Sequence, residues 1–236
     1  MERCELRARI SNWPDSGGDR RSSHSFPTTG RARLGAMRIE IVVFDGFDDL
    51  DAFGPHEVFS HASHRLDGWS STLVGVDAPG TVTSAHGVVL TVSEVLGEPD
   101  LVVVPGGGWF TPGAGARAVA DRGVLPQRVA DLSDRGTIVA SVCTGAMILA
   151  AAGLTAGRPA VTHPSAIDAL EASGALVRRD ARVVDDGSLV TGGGVTSGID
   201  LALHLIAREA DPETACTVAA HMVYPPQIDL ETSAPA

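Results

Sequence analysis

Lysine is absent from this chain, and all 18 of its basic residues are arginine. That excludes a lysine Schiff base, a lysine general base and a P-loop, whose phosphate-binding residue is a lysine. Positive charge is scarce as a whole: 29 acidic residues leave a formal net charge of −11, which argues against nucleic acid as the main partner. Cysteine is sparse. Cys4, Cys143 and Cys216 show neither paired nor metal-ligand spacing, and an odd, thin set of this kind reads as a reducing compartment, hence a cytoplasmic protein. No apolar run approaches the roughly 18 residues of a membrane span, so no membrane association is expected. The histidines have no zinc-type spacing, no metal is expected, and no stretch repeats internally.

What is present is a chain of 236 residues, 44% hydrophobic, which is one large domain with a full core. The first 36 residues differ from the rest. They carry seven arginines against four acidic residues, are rich in Ser, Gly and Pro, and have no apolar periodicity. Arg20-Arg21 invites comparison with a twin-arginine signal, but the residues that follow form no apolar h-region. Residues 1–36 are therefore predicted to be a disordered extension, and residues 37–236 the folded domain.

Within the domain, apolar runs alternate with helical stretches. Strands are predicted at Arg38–Phe44, Ser71–Val76, Asp100–Pro105 and Thr137–Val142, with short ones at Ala175–Val177, Ala181–Val184 and Ser188–Thr191. A helix is predicted to start at Gly54-Pro55, with proline in its favoured early position. Further helices are predicted across 114–135, broken near Gly123 and Pro126, after Cys143, before Leu170, and over 197–208 and 212–222. This alternation predicts an α/β three-layer sandwich, a mostly parallel sheet with helices on both faces. In such folds sites form at the carboxyl ends of strands. Four candidate segments fall there: Asp45 to Asp51, Gly106 to Gly108, Cys143, and Gly192 to Gly194.

Cys143 stands between an apolar strand and a small-residue helix, the corner at which nucleophile elbows form. Helix N–H groups beside the sulfur are predicted to favour its thiolate. Gly145 removes a Cβ where the helix must pack against the strand. A buried cysteine packed as a small hydrophobe would occupy the same place. Among the clustered carboxylates Asp48, Asp49 and Asp51, the last is expected to point inward, where burial raises its pKa and keeps it protonated as an acid. His163 is either a base for the cysteine or a helix-capping residue ahead of Pro164. The triple glycine after the third strand lacks a dinucleotide-binding continuation, and its backbone could instead approach a small ligand as an oxyanion hole.

Five segments in order then carry a resemblance: Leu50–Phe59, Val104–Gly107, Ser141–Ala146, Val161–Pro164 and Thr191–Asp200. Together they resemble the ThiJ/PfpI superfamily, of class I glutamine amidotransferase-like, flavodoxin-like fold, and most nearly its isonitrile hydratase members. The resemblance covers about Met37 to Pro226. It implies Cys143 as the reactive elbow cysteine, Asp51 as its acidic partner and Thr144 as the residue that accompanies the cysteine in hydratases. It implies Gly107, Gly108 and Gly193 as backbone positions facing substrate or oxyanion, and His163 as the histidine of the Thr-His-Pro segment. The implied activity is cofactor-independent hydration of an isocyanide to an N-substituted formamide through a Cys143 thioimidate. The superfamily also holds glyoxalase- and deglycase-like enzymes and the sensor domains of regulators, and both remain as alternatives. A small-molecule substrate and a homodimer are expected. The chain departs from the hydratase pattern at Phe53, at Pro164 and at Trp109.

Overall fold

The computed structural model describes residues 35–111, 113–227 and 230–232. The predicted extension lies, up to residue 34, outside the described residues.

The first strand, β1 (Met37–Val42), leads through a tight loop into α1 (Asp49–Ser63), and β2 (Trp69–Val74) follows. A hairpin of β3 (Gly80–Thr83) and β4 (Val89–Val92) precedes β5 (Leu101–Val104). Then come α2 (Gly115–Arg122), α3 (Val124–Asp134), β6 (Ile138–Val142) and α4 (Gly145–Ala151). The last third holds β7 (Pro159–Ala160), α5 (Ile167–Ala172), β8 (Leu176–Val177), β9 (Val183–Asp186), β10 (Leu189–Gly192), α6 (Ser197–Glu209), α7 (Pro212–His221) and β11 (Leu230–Thr232).

Among the described residues the main sheet runs β11-β9-β10-β6-β5-β1-β2. The strands from β10 to β2 are parallel to their neighbours, and β9 is antiparallel to β10. Every residue of β5 and β6 is buried, as their continuous apolar runs require of parallel strands covered on both faces. One set of helices, α1, α6 and α7, packs together, and α2, α3 and α4 form a second set. The three-layer α/β fold is therefore the one predicted.

One local expectation needs correction, and one element had not been foreseen. The helix predicted to start at Gly54-Pro55 starts at Asp49, where the Asp48 side chain accepts the Leu50 N–H at 3.2 Å and supplies the cap. Pro55 lies inside α1. It has no N–H to offer the Asp51 carbonyl one turn back, and its ring packs where a Cβ on Gly198 of α6 would sit. Asp51 thus belongs to the first turn of a helix rather than to a loop. The β3–β4 hairpin had no sequence signal, because its residues are mostly exposed and show no clean alternation. It matters for the site: the Gly46 N–H donates to the Thr83 carbonyl at 2.7 Å, and the Ala85 N–H to the Phe47 carbonyl at 2.8 Å. The hairpin thereby pins the loop between β1 and α1.

Candidate active site

The parallel strands β10, β6, β5 and β1 are adjacent, so the segments that follow them meet at one edge of the sheet. Cys143 follows β6 directly and has φ 57°, a left-handed conformation that costs a residue with a Cβ on the order of 1–3 kcal/mol. Tertiary hydrogen bonds hold it there. The Cys143 N–H donates to the Gly192 carbonyl at 2.9 Å, and the Thr162 hydroxyl donates to the Cys143 carbonyl at 2.9 Å. The glycine two residues on is a steric necessity: a Cβ on Gly145 would lie 2.1 Å from the Val104 carbonyl oxygen. Cys143 is a free thiol, only 7% exposed.

Asp51 is completely buried. Its Oδ2 accepts the Gly106 N–H at 3.0 Å, while Oδ1 is buried without a partner among the described residues. The Cys143 thiol is close enough to this carboxyl for each to influence the ionisation of the other. Burial, reinforced by the charge of Asp48, pushes the Asp51 pKa up to about 8. The acid predicted from its position is therefore protonated at neutral pH. Oδ2 is engaged as an acceptor, which leaves Oδ1 as the oxygen open to donate a proton.

The thiol departs from expectation. Burial raises the Cys143 pKa, and the neighbouring carboxylates Asp51 and Asp48 raise it further, against one favourable interaction from the Thr144 N–H. Helix α4 has only seven residues, and its dipole does not offset desolvation of the sulfur. The resting pair is thus two neutral acids in contact, and its first proton is lost in a step shared by both groups.

The glycine loop after β5 closes the site. Gly107 has φ 122°, and a Cβ there would lie 2.3 Å from the Gly46 carbonyl oxygen, so only glycine fits. Its N–H is not free for an oxyanion, because it donates to Thr144 Oγ1 at 2.9 Å. Among the described residues the Gly108 N–H has no partner, and it is the one of the two left open. The predicted residues Cys143, Asp51, Thr144, Gly107 and Gly108 thus fall in one cluster.

The other two candidates are turned elsewhere. His163 caps the 3-10 turn at Pro164–Ala166: its Nδ1 accepts the Ser165 N–H at 3.2 Å and meets Ser165 Oγ at 2.7 Å. That places the ring proton on Nε2 and leaves no basic nitrogen free. Gly193 is buried, its N–H donates to the Arg182 carbonyl at 2.8 Å, and a Cβ there would press on Val161 and Ala181. The three clustered carboxylates at the start of α1 also diverge. Asp48 caps α1, Asp49 takes the Ser84 hydroxyl and the His86 Nδ1 at 2.7 Å each, and Asp51 points inward. Among the described residues no three His, Cys, Asp or Glu side chains are grouped to hold a metal ion.

Residues 37–208 match the DJ-1/PfpI family. The chain belongs to that family. It is 34% identical to an isonitrile hydratase of Pseudomonas putida over 203 residues, 85% of this chain and 84% of the relative. It is 27% identical to a deglycase of Pyrococcus abyssi over 164 residues, 66% of this chain and 89% of that one. Among solved structures, a THiJ/PfpI family protein from Pseudomonas syringae superposes with TM-score 0.72 at 30% identity, covering 94% of this chain and 86% of the other.

In this DJ-1/PfpI chain the three departures from the hydratase pattern occupy distinct surroundings. Phe53 of α1 meets the buried Phe47 edge-on at 5.8 Å between ring centroids. Trp109 packs against the small cluster under α4 and α5, with the Arg117 guanidinium 5.2 Å from the centre of its ring. Pro164 is exposed at the start of the 3-10 turn. A cleft of about 250 Å³ opens beside the β1 end, lined in part by Phe44, Asp45, Val119 and Arg122. Cys143 and Asp51 lie outside it. Thr162 has no signal of its own in the sequence, and Gly106 and Gly192 are marked there only as members of strand-end glycine runs. The first sits beside the histidine that drew attention to its segment, and the other two act through backbone atoms alone.

Proposed function

We propose that this protein is an enzyme of the isonitrile hydratase type. The observation that carries the reading is Asp51: a protonated, fully buried carboxyl with one oxygen unpartnered, placed against the thiol of an elbow cysteine. Addition to an isocyanide needs that pair, because its terminal carbon must receive a proton as well as a nucleophile. Asp51 protonates the carbon, the carboxylate so formed takes the Cys143 thiol proton, and the sulfur bonds to the carbon. The product is a thioimidate, with Asp51 again protonated. Asp51 then protonates the imine nitrogen, and as a carboxylate it accepts a proton from water while the hydroxyl adds to the carbon. Collapse breaks the C–S bond, the sulfur recovers a proton, and an N-substituted formamide leaves. Splitting the addition into two steps and supplying the proton from a positioned acid are each recognised sources of rate. The similarity to the Pseudomonas putida hydratase supports the choice of electrophile.

The test is formamide production from a simple isocyanide by wild type, Cys143→Ala and Asp51→Asn. Loss of a general acid should lower kcat by about 100- to 10,000-fold in Asp51→Asn. Wild-type turnover no greater than that of Cys143→Ala would refute the assignment. Lactate formed from methylglyoxal by the wild type instead would move the protein to the aldehyde chemistry of the deglycases.

A further inference from the structure

Thr162 is buried, 1% exposed, in the segment just after β7. The preceding residue anchors that segment to the sheet: the Val161 N–H donates to Thr191 Oγ1 on β10 at 2.9 Å. The Thr162 hydroxyl is thereby held where it donates to the Cys143 carbonyl at 2.9 Å. That carbonyl belongs to the peptide unit whose other end is the Thr144 N–H, the backbone donor that favours the anion of the Cys143 sulfur. One side-chain hydroxyl and one sulfur therefore sit at opposite ends of a single amide. A hydrogen bond accepted at the carbonyl fixes the plane and strengthens the N–H as a donor. The plane needs fixing, since Cys143 has φ 57°.

We propose that Thr162 is a positioning residue for the nucleophile: its hydroxyl locks the Cys143–Thr144 peptide so that the Thr144 N–H remains aimed at the sulfur. The acidic groups acting on that sulfur are Asp51 on α1, once it ionises, and Asp48 in the loop before it, and both oppose the anion. The Thr144 N–H is the favourable contact, so its alignment governs how readily the thiolate forms. The inference rests on Cys143 being the nucleophile, not on the identity of the substrate.

Alkylation of Cys143 by iodoacetamide, followed by peptide mass mapping on the full chain between about pH 6 and pH 10, tests it. With a misaligned donor, Thr162→Val should be alkylated about five- to tenfold more slowly at each pH, a loss on the scale of one hydrogen bond. Thr162→Ser, which keeps the hydroxyl, should restore the wild-type profile. A residue that only filled space would act in the opposite direction. Its loss would loosen the elbow, expose a thiol now 7% accessible, and speed alkylation. Unchanged or faster alkylation in folded Thr162→Val overturns the proposal. Should that variant not fold, Thr162→Ala, which introduces no clash, is judged by the same criteria. Normal isocyanide turnover with an unchanged Thr162→Val profile would remove this proposal alone. A slowed profile without formamide production would remove only the hydratase assignment.

Discussion

Replacing Asp51 with Asn removes a buried ionisable group while keeping its shape, and the consequence is a change in how stability depends on pH. Folding raises the Asp51 pKa from 3.8 to about 8. A group whose folded pKa is raised favours the native state fully below its unfolded pKa, and this contribution is lost as pH rises to the folded value. Between about pH 4 and pH 8 the unfolded chain has released the proton and the native chain has not. Each pH unit in that window lowers native stability by about 1.4 kcal/mol. From about pH 5 to about pH 7.5, wild type should therefore lose about 3 kcal/mol relative to Asp51→Asn. For a chain of this size that is a difference on the order of 6–12 °C in melting temperature. The Asn amide can still accept the Gly106 N–H, and its NH₂ takes the place of an oxygen that also has no partner, so this exchange contributes an offset that does not depend on pH. The diagnostic quantity is accordingly the change in the difference between the two proteins, measured by chemical or thermal unfolding at both pH values. Two stability curves that run parallel across the window would mean that Asp51 is an ordinary ionised carboxylate, and the acid role assigned to it would fall.

His163→Ala should lower kcat/KM for the isocyanide by less than about tenfold, far short of the 100-fold or more expected from removing a general acid or base. A larger loss in steady-state assays would place the ring in the chemistry despite its commitment to Ser165. Gly145→Ala sets a methyl group 2.1 Å from the Val104 carbonyl oxygen. Backbone on both sides must then shift, so denaturant unfolding should show a loss of about 3 kcal/mol or more, beside weakened attack by the neighbouring cysteine. Wild-type stability in that variant would show that α4 does not approach β5 as closely as described.

The parallel core was legible because β5 and β6 are unbroken apolar runs, which in a chain alternating with helices suit only strands covered on both faces. The same pattern located Cys143, since a nucleophile placed directly after such a run emerges at the sheet edge where the strand ends converge. The inward turn of Asp51 followed from the apolar residues after it, although the start of its helix did not: a proline two turns' reach from the cap looked like a beginning, and the Asp48 cap that decides the matter is a single side-chain contact.

Residue types, their order along the chain and the placement of small residues determined the fold and the places of Cys143 and Asp51 in it, because hydrophobic periodicity and glycine spacing are local properties. Tertiary structure alone decided the protonation of the pair and the bonding of its surroundings. Whether the Gly107 N–H is free or held by Thr144, whether His163 offers a nitrogen or caps a turn, and whether a helix end can ionise a thiol depend on distances between segments far apart in the chain. The cost of burying charge beside another carboxylate exists only once those segments have come together.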